Sequence, residues 1–250
     1  EVTEICVAQG VYKPDQGQGI QPGDRNAAFD LVNFIRLGGG YAGLGAPDPN
    51  ERDFQRFETV LSGDLLGNDE AGFVNYNDNS YRVVRATNLD LATQLEGLTI
   101  TASERNVSDA LVGGGVFCSQ GGLTIRYCRF TRNRAYQGGG LGLIISAHAD
   151  VRNCQFLQNS ATDGAGGYIS DALPQGSMLI EDCLFQGNVA FHEDGGALSL
   201  RADDIIRRCT FLNNHADDGG AIRGSPRVED SIFVGNTADY GGAVGRGGGD

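Results

Sequence analysis

The sequence predicts an all-β fold, a right-handed parallel β-helix in which a single chain winds into coils of about three short strands each. Three observations predict it: a repeat in the C-terminal part of the chain, apolar residues that alternate with polar ones, and a glycine-rich corner in each copy. Alternation with a period of two is typical of strands. The strands of one copy cannot bury a face alone, so copies stack and pair in parallel at about 4.8 Å.

The repeat has the form Cys-x-Phe-x-x-Asn-x-Ala, followed by a pair of glycines and, in most copies, an aliphatic residue. Copies begin at Cys128, Cys154, Cys183, Cys209 and Ser231, so they follow one another at short and similar intervals. Fixed offsets within each copy place like residues of successive coils in columns. We assign residues 96–250 to regular β-helix repeats and expect them to continue beyond residue 250, because the sequence stops just after another glycine motif.

Three of the predicted columns are structural ladders. An inward stack of rings comprises Phe130, Phe156, Phe185, Phe211 and Phe233. A corner ladder, whose amides bond to the next coil, comprises Asn133, Asn159, Asn188, Asn214 and Asn236. A third column comprises Cys128, Cys154, Cys183 and Cys209. Stacked cysteines fit the distance of a disulfide but give a poor torsion, so buried free thiols are favoured over disulfides.

Residues 1–95 are less regular, and we interpret them as wider opening coils that cap the solenoid and cover its open strand edges. Strand-like pieces lie at Ile5–Ala8, Phe29–Val32, Thr59–Leu61 and Tyr81–Val84. An insert at residues 41–58 projects from this part and ends in a segment for which we expect a short helix. A lid over the first coil is favoured for this insert over a binding loop.

Composition limits the functional classes. Hydrophobic residues make up 40% of the 250 residues, which favours a packed core over disorder. A net charge of −13 opposes binding to nucleic acids and to anionic polysaccharides. No apolar run is long enough for a membrane-spanning helix. The six cysteines contain no C-x-x-C pair, which argues against a structural zinc site.

A metal site is suggested by one further column. Asp163, Asp194 and Asp218 each precede the glycine corner and would stack in successive coils. Stacked carboxylates repel each other unless something neutralises them, and calcium takes oxygen ligands of this kind. A solvated, splayed acidic edge without an ion is the alternative that we favour, so no cofactor is predicted apart from this calcium candidate.

No catalytic residues are predicted. The three histidines fall at different offsets of the repeat: His148, His192 and His215. The G-H-G and R-I-K motifs of polygalacturonase-like enzymes are absent. A basic cluster in one copy is spread around a corner by its spacing: Arg126, Arg129, Arg132 and Arg134.

The motif F-x-x-N followed by G-G-A and an aliphatic residue resembles the repeat of chlamydial-type polymorphic outer-membrane proteins, which are surface-exposed and adhesin-like. The N-terminal pieces ICVAQGVYKPD, LGGGYAGLGAPDPNERD, ETVLSGDLLGNDE, NSYRVV and LEGLTI are similar to secreted right-handed β-helix proteins of planctomycete-like bacteria. The resemblance covers nearly the whole chain and implies a β-helix that is secreted or displayed on a bacterial cell surface.

We therefore expect a secreted or cell-surface, non-enzymatic β-helix that serves adhesion, surface display or assembly. Its expected partners are cell-surface glycans, other proteins or copies of itself. The alternative is a carbohydrate-active enzyme, either a polysaccharide lyase or a glycoside hydrolase, with a groove along the coils.

Overall fold

A computed structural model of the chain describes residues 3–105, 112–169, 177–191, 194–201 and 203–245. The fold is an all-β parallel solenoid of about seven turns with 3% helix, which confirms the predicted fold class. The helical residues form two short 3₁₀ turns, Pro14–Gln16 and Tyr76–Asp78.

The strands within these ranges are β1 (Glu4–Ala8), β2 (Gly10–Tyr12), β3 (Phe29–Asp30), β4 (Arg36–Tyr41), β5 (Thr59–Ser62), β6 (Val84–Leu89), β7 (Gln94–Glu96), β8 (Thr99–Thr101), β9 (Glu104–Arg105), β10 (Val116–Arg126), β11 (Arg129–Thr131), β12 (Arg134–Ala135), β13 (Leu141–Arg152), β14 (Gln155–Leu157), β15 (Ser160–Ala161), β16 (Gly167–Ile169), β17 (Ser177–Glu181), β18 (Leu184–Gln186), β19 (Val189–Ala190), β20 (Leu198–Ser199), β21 (Ile205–Arg207), β22 (Thr210–Leu212), β23 (Ile222–Arg223), β24 (Arg227–Glu229), β25 (Ile232–Val234) and β26 (Val244–Gly245).

These strands form parallel sheets that run along the solenoid axis. The long sheet has 14 strands, and its longest strands, β10 and β13, each pair with two strands of a neighbouring coil. The first half of β10, for example, pairs with β6, and its second half pairs with β7. The phenylalanine sheet has the order β2-β5-β8-β11-β14-β18-β22-β25. A smaller corner sheet has the order β19-β15-β12-β9. Each coil therefore contributes strands to the long sheet and to the phenylalanine sheet, four coils also contribute to the corner sheet, and neighbours in a sheet come from successive coils.

The phenylalanine sheet carries a continuous stack of aromatic rings in the core. Its register pairs Phe130, Phe156, Phe185, Phe211 and Phe233. Neighbouring ring centroids lie 4.6, 4.7, 4.9 and 4.8 Å apart, and the rings are nearly parallel. The first four rings are buried, whereas Phe233 in the last described coil is only partly buried. The ring spacing equals the strand spacing, so each ring packs against the coil above and the coil below.

Each regular coil turns its corners with residues in the left-handed backbone region. The corner between the long sheet and the phenylalanine sheet uses φ values of 48–66° at Gly97, Tyr127, Asn153, Asp182, Arg208 and Asp230. The corner that precedes the long sheet uses glycine instead: Gly138, Gly164, Gly195, Gly219 and Gly241. At Gly138 an added Cβ would lie 2.5 Å from the carbonyl oxygen of Leu141, so both the positive φ and the close backbone require glycine there.

Residues 1–95 contribute strands to the same sheets. β1 pairs with β4 and β4 with β7 in the long sheet, while β2 pairs with β5 and β5 with β8 in the phenylalanine sheet. The equivalent positions Leu37 and Leu95 lie far apart in the sequence, because two long connections, residues 42–58 and 63–83, separate their strands. The N-terminal coils thus share the core geometry of the regular coils and differ in their connections.

The short helix expected at the end of the 41–58 insert is wrong, because the segment that follows Arg52 forms turns. The carboxylate of Asp53 accepts the backbone N–H groups of Gln55 and Arg56 at 2.8 and 3.2 Å, as at a helix N-terminus, but only a single turn fits before β5 begins at Thr59. Arg52 of the insert pairs with Glu96 of β7 at 3.2 Å, so this part of the insert contacts the side of the solenoid. The lid over the first coil stays a prediction.

Candidate functional site

The 41–58 insert and the outer face of the phenylalanine sheet enclose a groove with a cavity of about 460 Å³. We call it the insert groove. Its floor is a row of outward side chains on neighbouring strands, in which Arg129 of β11 is in register with Thr99 of β8 and Gln155 of β14. The parallel register fixes the spacing of these side chains at about one strand interval. The floor is therefore rigid and regular.

Two stacked aromatic rings form the wall of the insert groove. Phe54 of the insert stacks on Tyr127, with ring centroids 5.6 Å apart and planes inclined by 24°. Tyr127 occupies the left-handed corner before β11, with a φ of 53°, and 49% of its surface is exposed. Since Gly97 has no Cβ, the Phe54 ring can approach that corner: an added Cβ would lie 2.4 Å from its ring carbons.

Arg52 fixes this aromatic wall to the solenoid. Its guanidinium lies 4.7 Å from the centroid of Phe54 and 5.0 Å from that of Tyr41. The same group donates to the carbonyl oxygen of Gly39 at 3.0 Å and pairs with Glu96 at 3.2 Å. Stacking, a backbone hydrogen bond and an ion pair together restrict the orientation of the ring. The wall is consequently held in place before any ligand arrives.

Polar side chains of the floor and of the insert form the polar rim of the insert groove. Gln55, Arg129 and Gln155 are exposed, and none of them makes an ion pair or side-chain hydrogen bond to another described residue. Glu58 accepts a hydrogen bond from the Thr99 hydroxyl at 2.8 Å and is the carboxylate found among the described lining residues. One acid and one base leave the groove close to neutral. The combination of a flat apolar wall and unused hydrogen-bonding groups suits a ligand with both kinds of surface.

The outer face of the long sheet carries a charged ladder that is satisfied within itself. Arg152, Glu181, Arg207 and Glu229 are in register on successive coils. Arg152 lies 3.2 Å from Glu181, Arg207 lies 3.5 Å from the same carboxylate, and Arg207 lies 2.6 Å from Glu229. The arginine partners lower the pKa of Glu229 below its ordinary value. This ladder explains many of the charges without a ligand.

The predicted asparagine ladder lies in the buried corner that follows the phenylalanine sheet. The side-chain N–H of Asn188 donates to Oδ1 of Asn214 and to the carbonyl oxygen of Phe156, both at 2.9 Å. Its backbone N–H donates to the same Oδ1 of Asn214 at 3.0 Å. The same bonds recur along the column, so the asparagine amides are used by the fold.

All six cysteines are free thiols, and Cys183 shows how the predicted column is bonded. Its Sγ accepts the backbone N–H of Cys154 at 3.4 Å and donates to the carbonyl oxygen of Glu181 at 3.1 Å. In the last copy the Ser231 hydroxyl makes the same two bonds: it accepts the backbone N–H of Cys209 at 3.1 Å and donates to the backbone carbonyl oxygen of Glu229 at 2.8 Å. Burial raises the pKa of Cys183 well above its ordinary value. The Cys183 thiol is therefore a poor nucleophile.

The calcium candidates Asp163, Asp194 and Asp218 do lie in successive coils, and Asp194 and Asp218 form a parallel bridge. Their surroundings differ. Asp163 is buried, and Oδ2 of Asp194 lies 2.8 Å from Nε of Arg223, which supplies a neutralising charge. Within the described ranges, no three side chains of His, Cys, Asp or Glu lie close enough together to hold a metal ion. Calcium at this column stays a prediction.

The histidines and the basic cluster are spread over several surfaces. His148 contacts the Ser177 hydroxyl at 3.0 Å, and His215 contacts the Thr237 hydroxyl at 2.9 Å. His192 lies outside the described residues. Of the predicted basic cluster, Arg126, Arg129 and Arg132 are exposed and Arg134 lies 3.6 Å from Glu104. Only Arg129 of these residues enters the groove.

The fold is a parallel β-helix with a groove on its side. Residues 114–249, more than half of the chain, match the family described as right handed beta helix region. The chain therefore belongs to the right-handed β-helix family. No curated protein and no solved structure matches the chain. Across the described ranges, no helix has the length and apolar character needed to cross a membrane.

Proposed function

We propose that this chain is a non-enzymatic β-helix that binds neutral glycans in the insert groove and acts as a secreted or cell-surface adhesion module. The observation that carries this proposal is the stacked pair Phe54 and Tyr127 beside the free polar side chains of Arg129 and Gln155. A pyranose ring has C–H groups on its faces and hydroxyl groups around its edge. The aromatic wall suits the former and the polar rim the latter.

The regular spacing of the groove floor favours an extended ligand. Thr99, Arg129 and Gln155 come from three successive coils and point outward in one row. Such a row can follow a chain of sugar units over more than one residue. The near-neutral charge of the groove and the net charge of −13 both favour an uncharged glycan over an anionic one. Secretion and display on a cell surface are supported by the resemblance of the N-terminal pieces.

The rival function is that of a glycoside hydrolase or polysaccharide lyase. Glycoside hydrolysis by the common mechanisms requires a pair of carboxyl groups about 5–10 Å apart across the scissile bond. Among the described lining residues of the insert groove, Glu58 has no carboxylate partner. Binding without cleavage is therefore the function that this geometry favours.

Binding is tested by titrating the protein calorimetrically with neutral cello-, manno- and xylo-oligosaccharides. We expect at least one series to bind the wild type, and Phe54→Ala and Gln155→Ala to weaken that binding by about tenfold or more, since tenfold is ~1.4 kcal/mol. Gln155 lies on the rigid floor, so its variant leaves the wall unchanged. Phe191→Ala is the matched control, because Phe191 is an exposed phenylalanine that does not line the groove.

Three outcomes would overturn the proposal. If none of the oligosaccharide series binds, neutral glycans are not the ligand. If Phe54→Ala and Phe191→Ala lose the same binding affinity, the binding site is not the insert groove. Release of reducing ends or unsaturated products from polysaccharides by the wild type, lost in Glu58→Gln, would replace binding by catalysis.

A further inference from the structure

Residues 63–80, the first part of the connection between β5 and β6, form an acidic loop. It contains Asp64, Asp69, Glu70 and Asp78 and no lysine or arginine. It lies outside both the insert groove and the column of Asp163, Asp194 and Asp218. The fold uses the carboxylates of Asp64 and Asp78 to hold the backbone and leaves one oxygen of Asp69 without a hydrogen-bond donor.

Asp64 and Asp78 hold the backbone of the loop. Asp64 accepts the N–H groups of Gly67, Asn68 and Asp69 at 2.6, 3.2 and 3.3 Å. Asp78 accepts the N–H of Leu66 at 3.3 Å. These bonds curl the loop around its own carboxylates and keep the two negative charges near its centre.

Asp69 and Asn79 form a side-chain pair with open oxygens. The Asn79 amide donates to Oδ2 of Asp69 at 2.8 Å, which fixes the direction in which the Asn79 side chain points. Asn79 is fully buried, with 0% of its surface exposed. Oδ1 of Asn79 and Oδ1 of Asp69 are both buried and have no hydrogen-bond donor. Buried polar atoms are almost always satisfied, so two unsatisfied acceptors in one pair require an additional partner.

The charge around this pair identifies the kind of partner. Burial raises the pKa of Asp69 to about 6, with smaller contributions from the charges of Asp64 and Asp78, against the opposing effects of the Asn79 hydrogen bond and of Arg132. The other cations at the loop, Lys13 and Arg25, donate to the backbone carbonyl oxygens of Leu65 and Asn79 at 3.2 and 2.7 Å, so no ion pair between described residues neutralises the Asp69 carboxylate. A cation that prefers oxygen ligands would satisfy both open acceptors and neutralise the carboxylates at the same time.

We propose that Asp69 and Asn79 bind a calcium ion, with backbone carbonyl groups and water as the remaining ligands. Calcium accepts irregular sets of carboxylate, amide and carbonyl oxygens, whereas magnesium demands a near-octahedral set. The side-chain ligands are one carboxylate and one amide, a set that does not require three grouped carboxylates. So few charged ligands place the affinity at about 10⁻⁴–10⁻³ M, the range of extracellular modules.

The proposal is tested on the purified chain after treatment with a chelator. Calorimetric titration with calcium chloride is expected to show one saturable site with a Kd of about 10⁻⁴–10⁻³ M, and magnesium to bind more weakly. Asp69→Asn, which keeps the shape of the side chain, is expected to abolish this binding. Asp217→Asn removes the charge of another exposed aspartate outside the loop and is expected to leave it unchanged.

A second measurement does not depend on a variant. Tyr76 lies next to the site, since the charge of Asp69 contributes to the increase of the Tyr76 pKa to about 12. Terbium bound to the wild type is expected to show luminescence sensitised by tyrosine, which calcium displaces and Tyr76→Phe reduces.

Absence of saturable calcium binding by the wild type would overturn the proposal, as would equal binding by Asp69→Asn. A thermal stability that responds to acidification but not to calcium would show that a proton, rather than a metal ion, satisfies the pair. Loss of binding in Asp163→Asn, with binding retained in Asp69→Asn, would place the ion at the other column.

Discussion

The regular coils and the N-terminal coils share two sheets but use their connections differently. In the regular part, equivalent positions recur at short and similar intervals, and the connections carry ladders that satisfy each coil through its neighbours. In the N-terminal part, a much longer stretch of chain separates Leu37 from its partner Leu95. The two long connections there form the groove wall and the acidic loop. Repetition thus stabilises one region, whereas departure from repetition creates the candidate sites of the other.

The hydrogen bonding of buried polar groups also differs between the ladders and the N-terminal connections. The Asn188 amide and the Cys183 thiol are bonded on both sides, because identical residues follow in the next coil. Oδ1 of Asp69 and Nη2 of Arg52 are buried without a hydrogen-bond partner. The asparagine and thiol ladders use their polar groups within the fold, although Oγ of Ser160 in the corner sheet is also buried without a partner. Ligand sites are therefore expected mainly where these ladders are interrupted.

The largest expected effect is the loss of a ring from the middle of the phenylalanine stack. Phe185→Ala is expected to lower the free energy of unfolding by about 3–5 kcal/mol, because a buried ring is removed and a cavity remains. Phe185 contacts rings on both sides, at 4.7 and 4.9 Å. Urea unfolding followed by circular dichroism measures the loss.

Phe233→Ala is the matched comparison, because Phe233 stacks on one described ring, Phe211, and is only partly buried. Its loss is expected to be clearly smaller. Equal losses at both positions would show that a ring packed on both sides contributes no more to the free energy of unfolding than a ring packed on one side.

A smaller effect is expected in the thiol column. Cys183→Ala leaves the backbone N–H of Cys154 without its acceptor and is expected to cost about 1–3 kcal/mol. Cys183→Ser supplies a hydroxyl with the same donor and acceptor pattern and is expected to cost less than Cys183→Ala. Ser231 already makes both bonds in the last copy. Urea unfolding measures the stability of both variants. A serine variant that is less stable than the alanine variant would contradict the hydrogen-bonding role of Cys183.

The ladders could be predicted from the sequence because their offsets are fixed. Once Phe156 and Phe185 occupy the same position of the repeat, parallel stacking places them together, whatever the surrounding loops do. The thiol column follows for the same reason. Its hydrogen bonds were not foreseen, although the exchange of Cys for Ser231 was a signal of a shared bonding role.

The groove could not be predicted because no repeat relates its parts. Phe54 and Tyr127 are distant in the sequence and belong to different kinds of segment. Their contact depends on where the insert lies, and Arg52 sets that through Glu96 and Gly39. The left-handed corner is equally hidden, because Tyr127, Asn153 and Arg208 occupy it without a common residue type. The pair of aromatics Phe54 and Phe57 in the insert was the available signal.

The smallest expected effect is the contribution of Asp69 in the acidic loop to the pH dependence of stability. The pKa of Asp69 is raised from 3.8 to about 6 in the folded chain, mainly by burial. The folded state therefore binds more protons than the unfolded state between these values, and stability rises as the pH falls. In a chelator, the Tm of the wild type is expected to increase from about pH 7.5 to about pH 5 relative to that of Asp69→Asn.

Asp182 in the regular coils provides a shift of the opposite sign as a control, whereas burial raises the pKa of Asp204 in the same coils. Arg208 lowers the pKa of Asp182, so stability from that pair is lost only when the pH falls to the ordinary range of an aspartate and below it. Asp182→Asn is therefore expected to leave the change between pH 7.5 and pH 5 as in the wild type. If Asp69→Asn retains the wild-type increase, the buried carboxylate of the loop is not its source, and the contrast between loop and ladder fails at this point.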